Sequence, residues 1–164
     1  MAHVSLVLGG ARSGKSAHAL SLATPPRAFV ATAQAGDGEM ADRIAAHQAE
    51  RGSDWTLIEA PLDLIGALEQ AKGQNVLIDC LTLWLSNLMH HKHDVAQETT
   101  QLINAMQRAS GSIVLVSNEV GMGLAPMNAL GREFRDEQGR LNQRIAATAD
   151  SVEFVAAGLP LRLK

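Results

Sequence analysis

Short apolar segments alternate along the chain with longer segments in which apolar residues follow helical spacing. The short segments are continuously apolar, as is typical of strands covered on both faces of a parallel sheet. Predicted strands cover residues 4–8, 28–31, 75–79, 112–117 and 152–156, and 160–164 could add an edge strand. Predicted helices cover residues 15–23, 39–51, 62–72, 81–90, 95–109 and 128–148. Because strands and helices alternate, we predict an α/β fold with a mostly parallel central sheet flanked by helices.

The composition is that of a globular domain without a strongly basic surface. The chain has 164 residues, enough for one core and too few for two, so we expect a single domain over 1–164. The formal net charge of -3 and the absence of Tyr argue against nucleic acid as a partner. The single cysteine cannot form an intramolecular disulfide, which suits a reducing compartment. With no apolar run of membrane-spanning length and no evident signal peptide, we expect a cytoplasmic protein without a membrane span.

A glycine-rich segment joins the first predicted strand to the first predicted helix and matches the pattern G-x-x-x-x-G-K-[ST]. Glycines let backbone N–H groups turn towards phosphate oxygens, and the helix N-terminus adds positive potential. We expect Lys15 to reach the β- and γ-phosphates of a nucleotide and the Ser16 hydroxyl to ligate Mg²⁺. This predicted phosphate loop consists of Gly9, Gly10, Ala11, Arg12, Ser13, Gly14, Lys15 and Ser16.

An acidic residue at the end of a neighbouring strand is expected to complete the metal site of such a loop. Asp79 directly follows the apolar residues of the predicted strand over 75–79. Its alternative role is to cap the next helix, since Asp is a good N-cap residue. Because the phosphate loop favours the metal role, we predict that Asp79 holds Mg²⁺ through water.

Residues 37–59 contain a histidine between two arginines at helical spacing. Arg43, His47 and Arg51 fall at i, i+4 and i+8, so that the guanidinium groups flank the imidazole on one side of a helix. Two neighbouring cations favour the neutral imidazole, which is a nucleophile, and the same guanidinium groups could hold phosphate oxygens. His47 is therefore a candidate for attack on phosphorus. The alternative is an ordinary half-buried histidine on an amphipathic helix.

The segment after the strand over 112–117 lies where the substrate-facing loop of an α/β sheet belongs. In this segment Glu119 could position a hydroxyl nucleophile or a metal-bound water, or it could be a loop or helix-capping carboxylate. The arginines that follow could bind phosphate or pair with neighbouring acids, which is the ordinary outcome for such mixed charge. These groups are Arg132, Arg135 and Arg140, with Glu133, Asp136 and Glu137.

A phosphate loop and an acid do not decide the reaction, because motors, GTPases and small-molecule kinases share them. One hypothesis is a small-molecule kinase in which His47 is structural. Another is a nucleotide-binding switch or motor in which Glu119 activates water. That class usually has a further partner-binding domain, for which 164 residues leave no room.

Blocks along nearly the whole chain resemble the bifunctional adenosylcobinamide kinase / adenosylcobinamide-phosphate guanylyltransferases of cobalamin biosynthesis. Trp55 and Glu59 belong to the same pattern, whereas Gln48 stands where the family often has a basic residue. The loop alone would be weak support, but these blocks in this order are highly specific. The blocks are GGARSGKS (9–16), ATAQ (31–34), EMADRIAAHQAER (39–51), DCLTLWLSNL (79–88), SNEVGMGLAP (117–126) and FRDEQGRLNQRIAATAD (134–150), with GLPLRLK at the end.

The resemblance implies two reactions. In the first, a nucleoside triphosphate phosphorylates the hydroxyl on the aminopropanol arm of adenosylcobinamide. In the second, GMP passes from GTP to that phosphate through a histidine that carries GMP, giving adenosylcobinamide-GDP and pyrophosphate. ATP and GTP are then substrates, Mg²⁺ is the cofactor, and His47 is the matching histidine. A kinase without the transferase step is the remaining alternative.

The resemblance also implies a RecA-like P-loop fold and a homotrimer with sites near the subunit boundaries. The catalytic residues are then His47 and Lys15, and Ser16 and Asp79 are the metal residues. Besides the phosphate loop, the implied nucleotide-binding residues are Thr32, Ala33, Gln34, Gln48, Ala49, Glu50, Arg51, Glu59 and Asp79.

Overall fold

The computed structural model of the protein describes residues 2–34 and 54–164. In this part of the chain the strands are β1 (Val4–Gly9), β2 (Arg27–Ala31), β3 (Trp55–Glu59), β4 (Asn75–Asp79), β5 (Ile113–Asn118), β6 (Ser151–Ala156) and β7 (Leu159–Arg162). The helices are α1 (Lys15–Leu22), α2 (Leu64–Gln70), α3 (Leu81–His90), α4 (Val95–Arg108) and α5 (Ala129–Thr148). The predicted helix over 39–51 lies outside the described residues.

The described strands form one seven-stranded sheet in the order β3-β2-β4-β5-β1-β6-β7. All neighbouring pairs from β3 to β6 are parallel, and β7 pairs antiparallel with β6 at one edge of the sheet. This confirms the predicted mostly parallel α/β sheet, and also the edge strand near Pro160. Because the parallel strands share one direction, the carboxyl ends of β1 to β6 lie on the same side of the sheet. We call this side the carboxyl edge; ligands of open α/β sheets bind there.

The core lies on both faces of the sheet because alternate residues of the central strands point to opposite sides. One hydrophobic cluster joins residues of β1, β4 and β5 to buried side chains of α2, α3, α4 and α5. The intervening strand residues form a second cluster with Ala19 of α1. Trp84 is almost fully buried in the first cluster, and its indole N–H donates to the carbonyl oxygen of Leu62 at 2.9 Å. Burial on both faces explains why these strands are continuously apolar.

The apolar pattern does not predict β3, which is the edge strand next to β2. Thr56 and Leu57 are exposed there, and Ile58 is the buried residue of the strand. A strand that packs on one side lacks the continuous apolar run by which the other strands are recognised. The predicted helices within the described residues are confirmed, with small differences at their ends.

Candidate active site

The phosphate loop connects β1 to α1 at the carboxyl edge of the sheet. Gly14 has a φ of 91°, in the left-handed region that glycine adopts without steric cost. A Cβ atom at Gly14 would lie 2.9 Å from the Cα of Gly158, and one at Gly9 would lie 2.7 Å from the carbonyl oxygen of Val155. The loop can pass this close to β6 and the turn after it because both positions are glycine.

The start of α1 offers hydrogen-bond donors to an anion. Gly14 occupies the N-cap position and makes no side-chain cap bond, so the N–H groups of the first helical turn have no partner of that kind. The Lys15 Nζ donates to the carbonyl oxygen of Gly10 at 3.0 Å, which holds the ammonium group over the loop. An ammonium has three donors, so Lys15 can bind phosphate oxygens from this position. Donors, positive charge and helix N-terminus together favour a phosphate group here.

The hairpin between β6 and β7 contacts the phosphate loop and helps to hold it in place. The Gly158 N–H donates to the carbonyl oxygen of Ser13 at 2.7 Å. Ala157 and Gly158 have φ values of 52° and 76°, as both central residues of a tight hairpin turn of this type require. His18 of α1 lies 2.6 Å from Glu153 of β6 through their Nε2 and Oε2 atoms, which adds a second tie. The contact of this turn with the loop leaves no sequence signal.

Strand pairing brings the predicted acidic residues into one row. Ala31 of β2 lies opposite Glu59 of β3 and opposite Asp79 of β4. On the other side, Gly9 of β1 pairs with Asn118 of β5, the strand between β1 and β4. The N-cap of α3 is Cys80 and not Asp79, which contradicts the alternative that Asp79 caps that helix. Asp79 therefore ends an interior strand at the same edge as the phosphate loop.

The buried side chain of Thr32 holds the ends of β2 and β4 together. Its side chain is fully buried, and its hydroxyl accepts from the Cys80 N–H and donates to the Cys80 carbonyl oxygen, both at 2.8 Å. The Asn87 amide of α3 donates to the Thr32 carbonyl oxygen at 2.9 Å. Of the predicted nucleotide-binding residues after β2, Ala33 is half-buried and Gln34 is exposed. The Gln34 side chain can thus reach a ligand, whereas the Thr32 hydroxyl is already used by the protein.

The thiol of Cys80 stays protonated at this edge. Burial raises the pKa of Cys80 to about 11, and the neighbouring Asp79 charge acts in the same direction, whereas Lys15 acts against it. A buried thiol of this kind is a weak nucleophile at neutral pH. Because the charges of Asp79 and Lys15 both act on the Cys80 thiol, these two residues lie near each other. This is the arrangement expected of a nucleotide and metal site.

The residues present fit a hard divalent cation beside a triphosphate. Ser16 is half-buried in the first turn of α1 and follows Lys15 directly. The Ser13 hydroxyl is buried without a partner within 2–34 and 54–164. Asp79 supplies a carboxylate at the neighbouring strand end. Hydroxyl and carboxylate oxygens are the ligands that Mg²⁺ prefers, so Ser16 and Asp79 could hold this ion.

Glu119 fixes the turn that follows β5. Its backbone N–H donates to the carbonyl oxygen of Gly9 at 3.1 Å, which joins the turn to the phosphate loop. Its two carboxylate oxygens accept from the N–H groups of Gly121 at 2.7 Å and Met122 at 3.1 Å. These bonds fit the interpretation of Glu119 as a loop carboxylate, one of the two alternatives left open by the sequence.

The arginines of α5 divide into two groups. Arg135 pairs with Asp136 and Arg140 pairs with Glu137, which is the ordinary surface pairing expected for mixed charge. Arg132 instead donates to the carbonyl oxygens of Pro126 at 3.0 Å and Met127 at 2.9 Å. Sequence pattern does not indicate this contact, because a guanidinium that binds backbone needs no acidic neighbour.

A buried polar network lies behind the end of β5. The Ser117 hydroxyl donates to the Asn142 Oδ1 at 2.6 Å, and the Gln138 Nε2 donates to both groups at 3.0 Å. The Asn142 Nδ2 donates to the carbonyl oxygen of Asn118 at 3.0 Å, while the Asn118 N–H donates to the Thr82 hydroxyl at 2.9 Å. These bonds fix the end of β5 against α3 and α5, and no predicted site residue belongs to them.

Several predicted site residues lie outside the described residues. They include the candidate nucleophile and its flanking arginines, so the structure neither supports nor opposes their roles. They are Arg43, His47, Gln48, Ala49, Glu50 and Arg51.

The described residues contain few other candidate centres. Over 2–34 and 54–164, no three His, Cys, Asp or Glu side chains come together as a metal-binding group. The histidine-rich segment after α3 is exposed, and the His93 Nδ1 lies 3.2 Å from the Glu98 Oε1. In the same described ranges, no helix is both long enough and apolar enough to cross a membrane.

Solved structures of low sequence identity share this fold. A KaiC-like protein from Pyrococcus horikoshii matches with a TM-score of 0.53 and 14% identity, over 93% of this chain and 70% of that chain. The P4 protein from bacteriophage phi6 in complex with ADP matches with a TM-score of 0.52 and 17% identity, over 97% of this chain and 54% of that chain. Sheet and loop together define the class of protein, a P-loop nucleotide-binding domain of RecA-like fold.

Sequence comparison identifies the family within this class. Residues 5–163 match the family described as cobinamide kinase / cobinamide phosphate guanyltransferase. The bifunctional adenosylcobalamin biosynthesis protein CobP of Pseudomonas aeruginosa is 46% identical, over 97% of this chain and 96% of that protein. CobU of Salmonella typhimurium, described in the same words, is 39% identical, over 97% of this chain and 98% of that protein. The chain belongs to the cobinamide kinase / cobinamide phosphate guanyltransferase family of enzymes, as the resemblance predicted.

Proposed function

We propose that this protein phosphorylates adenosylcobinamide with a nucleoside triphosphate and then transfers GMP from GTP to the new phosphate. The products of the second step are adenosylcobinamide-GDP and pyrophosphate. The observation that carries the proposal is the family match over nearly the whole chain. The phosphate loop, with the Lys15 ammonium held over it, fits the triphosphate that both reactions need. The unit of activity is one domain over residues 1–164, as expected from its length.

Binding of the triphosphate is assigned to the phosphate loop, Gly9–Ser16. Backbone N–H groups at the start of α1 and the Lys15 ammonium donate to its oxygens and neutralise their charge. When bound, Mg²⁺ supplies further charge neutralisation on the phosphates, and Ser16 and Asp79 would hold it. Gln34 and Glu59 are exposed at the same edge and are candidates to contact the nucleotide, with Ala33 beside them.

In the kinase step the acceptor hydroxyl attacks the γ-phosphorus, and the bond from this phosphorus to the β-bridging oxygen breaks. The hydroxyl proton passes to solvent water, and the nucleoside diphosphate leaves. The chain's contribution is to position the triphosphate and stabilise its charge, which is most of what phosphoryl transfer needs. ATP and GTP are both suitable donors, because the phosphate loop contacts phosphates and not the base.

For guanylyl transfer we assign the nucleophile to His47, which the resemblance and the flanking arginines both favour. An imidazole nitrogen attacks the α-phosphorus of GTP, and the bond to the bridging oxygen of the leaving pyrophosphate breaks. A phosphate oxygen of adenosylcobinamide phosphate then attacks the histidine-bound GMP, and the P–N bond breaks. Arg43 and Arg51 would hold phosphate oxygens, and Gln48, Ala49 and Glu50 would lie beside the nucleotide. The covalent step divides one displacement into two.

The second candidate function is a small-molecule kinase in which His47 is structural. The observation that favours it is that the phosphate loop, Lys15 and Asp79 already account for phosphoryl transfer without residues 35–53. The two candidates differ in whether GMP ever becomes attached to the protein.

We assign the protein to the cytoplasm as a homotrimer, following the resemblance. Its single cysteine and the absence of a membrane-spanning helix in the described residues are compatible with that compartment. The edge strand β7 supports an assembly: Leu159 and Leu161 of the strand, and Leu163 just after it, are 72%, 62% and 58% exposed and alternate along the chain. An apolar row on an edge strand is a surface that proteins usually cover.

Product analysis with two variants tests the proposal. Adenosylcobinamide is incubated with ATP, GTP and Mg²⁺, and the corrinoid products are separated and weighed by mass spectrometry. We expect His47→Ala to accumulate adenosylcobinamide phosphate without the GDP product, and Lys15→Ala to form neither. A folded His47→Ala protein that still makes adenosylcobinamide-GDP would refute the transferase assignment. Full kinase activity of Lys15→Ala would refute the phosphate-loop assignment.

A further inference from the structure

A largely exposed apolar segment follows the end of β5, the strand that pairs with β1. Met122, Leu124, Met127 and Leu130 are 80%, 100%, 100% and 68% exposed. They belong to the connection from β5 to α5 and to the first turn of α5, and we call these four side chains the apolar platform. No charged residue occurs between Val120 and Gly131. Exposed apolar area of this kind, concentrated in one segment, marks a binding surface.

The apolar platform is held in one shape by bonds at both ends. At its start, the Glu119 carboxylate accepts from the N–H groups of Gly121 and Met122. At its end, Arg132 donates to the carbonyl oxygens of Pro126 and Met127. The Asn128 Oδ1 caps α5 by accepting from the Gly131 N–H at 2.6 Å. The exposed side chains are therefore presented by a backbone that loses little further conformational entropy on binding.

The backbone that leads into the platform contacts the phosphate loop. The Glu119 N–H donates to the carbonyl oxygen of Gly9, the first residue of that loop. Asn118, one residue earlier, pairs with Gly9 and is fixed by Thr82 and Asn142. When the hydroxyl of a large acceptor reaches the γ-phosphate, the rest of the acceptor must contact a protein surface beside the loop. The β6–β7 turn, which also contacts this loop, presents backbone, whereas the β5–α5 connection presents apolar side chains.

We propose that the apolar platform binds the corrin ring of cobinamide during both reactions. This inference rests on the proposed function. A corrin macrocycle has a broad surface studded with methyl groups and surrounded by amide arms, so it can cover several apolar side chains at once. The two methionines of the platform suit an irregular surface, because their unbranched side chains adapt to it. The row of leucines on β7 is a separate surface and remains available to a second copy of the chain.

Corrinoid binding by platform variants tests the inference. Adenosylcobinamide is the probe, and equilibrium dialysis follows its visible absorbance with wild-type protein and the double variant Leu124→Ser/Met127→Ser. Both side chains are fully exposed, so the substitutions remove no buried contact. Losing this apolar contact should weaken corrinoid binding about tenfold or more. The affinity for GTP and the covalent labelling by GTP without acceptor should stay unchanged.

The matched control is Leu22→Ser, which changes an exposed leucine at the far end of α1. We expect this control to bind adenosylcobinamide as the wild type does. Wild-type corrinoid affinity in the double variant would overturn the inference, and so would a loss of affinity that accompanies a smaller sedimenting species, since the platform would then contact another copy. Wild-type protein that converts no adenosylcobinamide would overturn the proposed function itself, so the two failures are distinguishable.

Discussion

Thr32 and Cys80 illustrate how single residues hold the carboxyl edge of the sheet in place. The Thr32 hydroxyl and the backbone N–H and C=O of Cys80 exchange two hydrogen bonds inside the protein, where water cannot replace them. The bonds lock the chain after β2 to the chain after β4, next to Asp79. The same burial that makes these bonds strong keeps the Cys80 thiol uncharged. At this scale, Thr32 and Cys80 serve the architecture of the sheet end that carries the phosphate loop.

We predict that Cys80 reacts slowly with thiol reagents in the folded protein. Its raised pKa of about 11 keeps the thiol protonated, and burial keeps reagents away. The single cysteine makes the total absorbance change of a disulfide reagent a direct readout, with the chain in denaturant as the fast-reacting control. Complete modification of folded protein within the time needed by the denatured control would contradict the prediction.

The same pKa shift predicts a loss of stability in alkali. Burial raises the pKa of Cys80 from 9.0 in the unfolded chain to about 11, so only the unfolded state releases its proton between these values. The contribution is therefore fully present below about pH 9 and is lost as the pH rises towards about 11. Denaturant unfolding across this range, compared with Cys80→Ala, measures the difference.

At the scale of elements, the C-terminal hairpin and the phosphate loop behave as one unit. The Gly158 N–H bonds to Ser13, and Gly14 passes against Gly158. β1 and β6 are paired neighbours, so the hairpin turn arrives at the loop by the register of the sheet. The loop motif can be found in sequence, but this support arises from residues at the opposite end of the chain.

Substitution of Gly158 tests whether the hairpin positions the loop. Gly158→Ala and the control Gly73→Ala both add a Cβ with nothing within 4 Å at a positive φ, 76° and 84°. We expect each to destabilise the protein by about 1 kcal/mol, because both are strained in the same way. Only Gly158→Ala should weaken nucleotide binding, by up to about tenfold, because it displaces the backbone N–H that donates to the Ser13 carbonyl oxygen of the loop. Titration with a fluorescent GDP analogue decides; equal nucleotide affinity in both variants would contradict the idea.

For the whole molecule, sequence periodicity predicted most of the fold because buried parallel strands and helices leave strong local patterns. It did not predict β3, an edge strand with exposed Thr56 and Leu57. In the site, the loop motif and a strand-ending Asp79 could be predicted, since both depend on local spacing. The backbone contacts of Arg132 and the buried Gln138 network could not, because their partners are set by tertiary packing.

Assembly is the prediction that belongs to the whole molecule. If copies of the chain meet through the leucines of β7, Leu161→Lys should reduce the trimer to a smaller species, because a charge in an apolar contact is costly. Sedimentation equilibrium measures the mass, with Leu22→Lys as the control on a different exposed leucine. An unchanged trimer in Leu161→Lys, or a monomeric wild type, would contradict the assignment of this surface.

The most direct test of the account is whether GTP leaves its GMP on His47. The protein is incubated with Mg²⁺ and α-labelled GTP without acceptor and is then denatured. We predict label that survives alkali, is lost in acid, is absent from His47→Ala and persists in His91→Ala, a control at an exposed histidine. Protein that converts adenosylcobinamide but never acquires label would contradict the covalent mechanism and leave His47 as a structural residue.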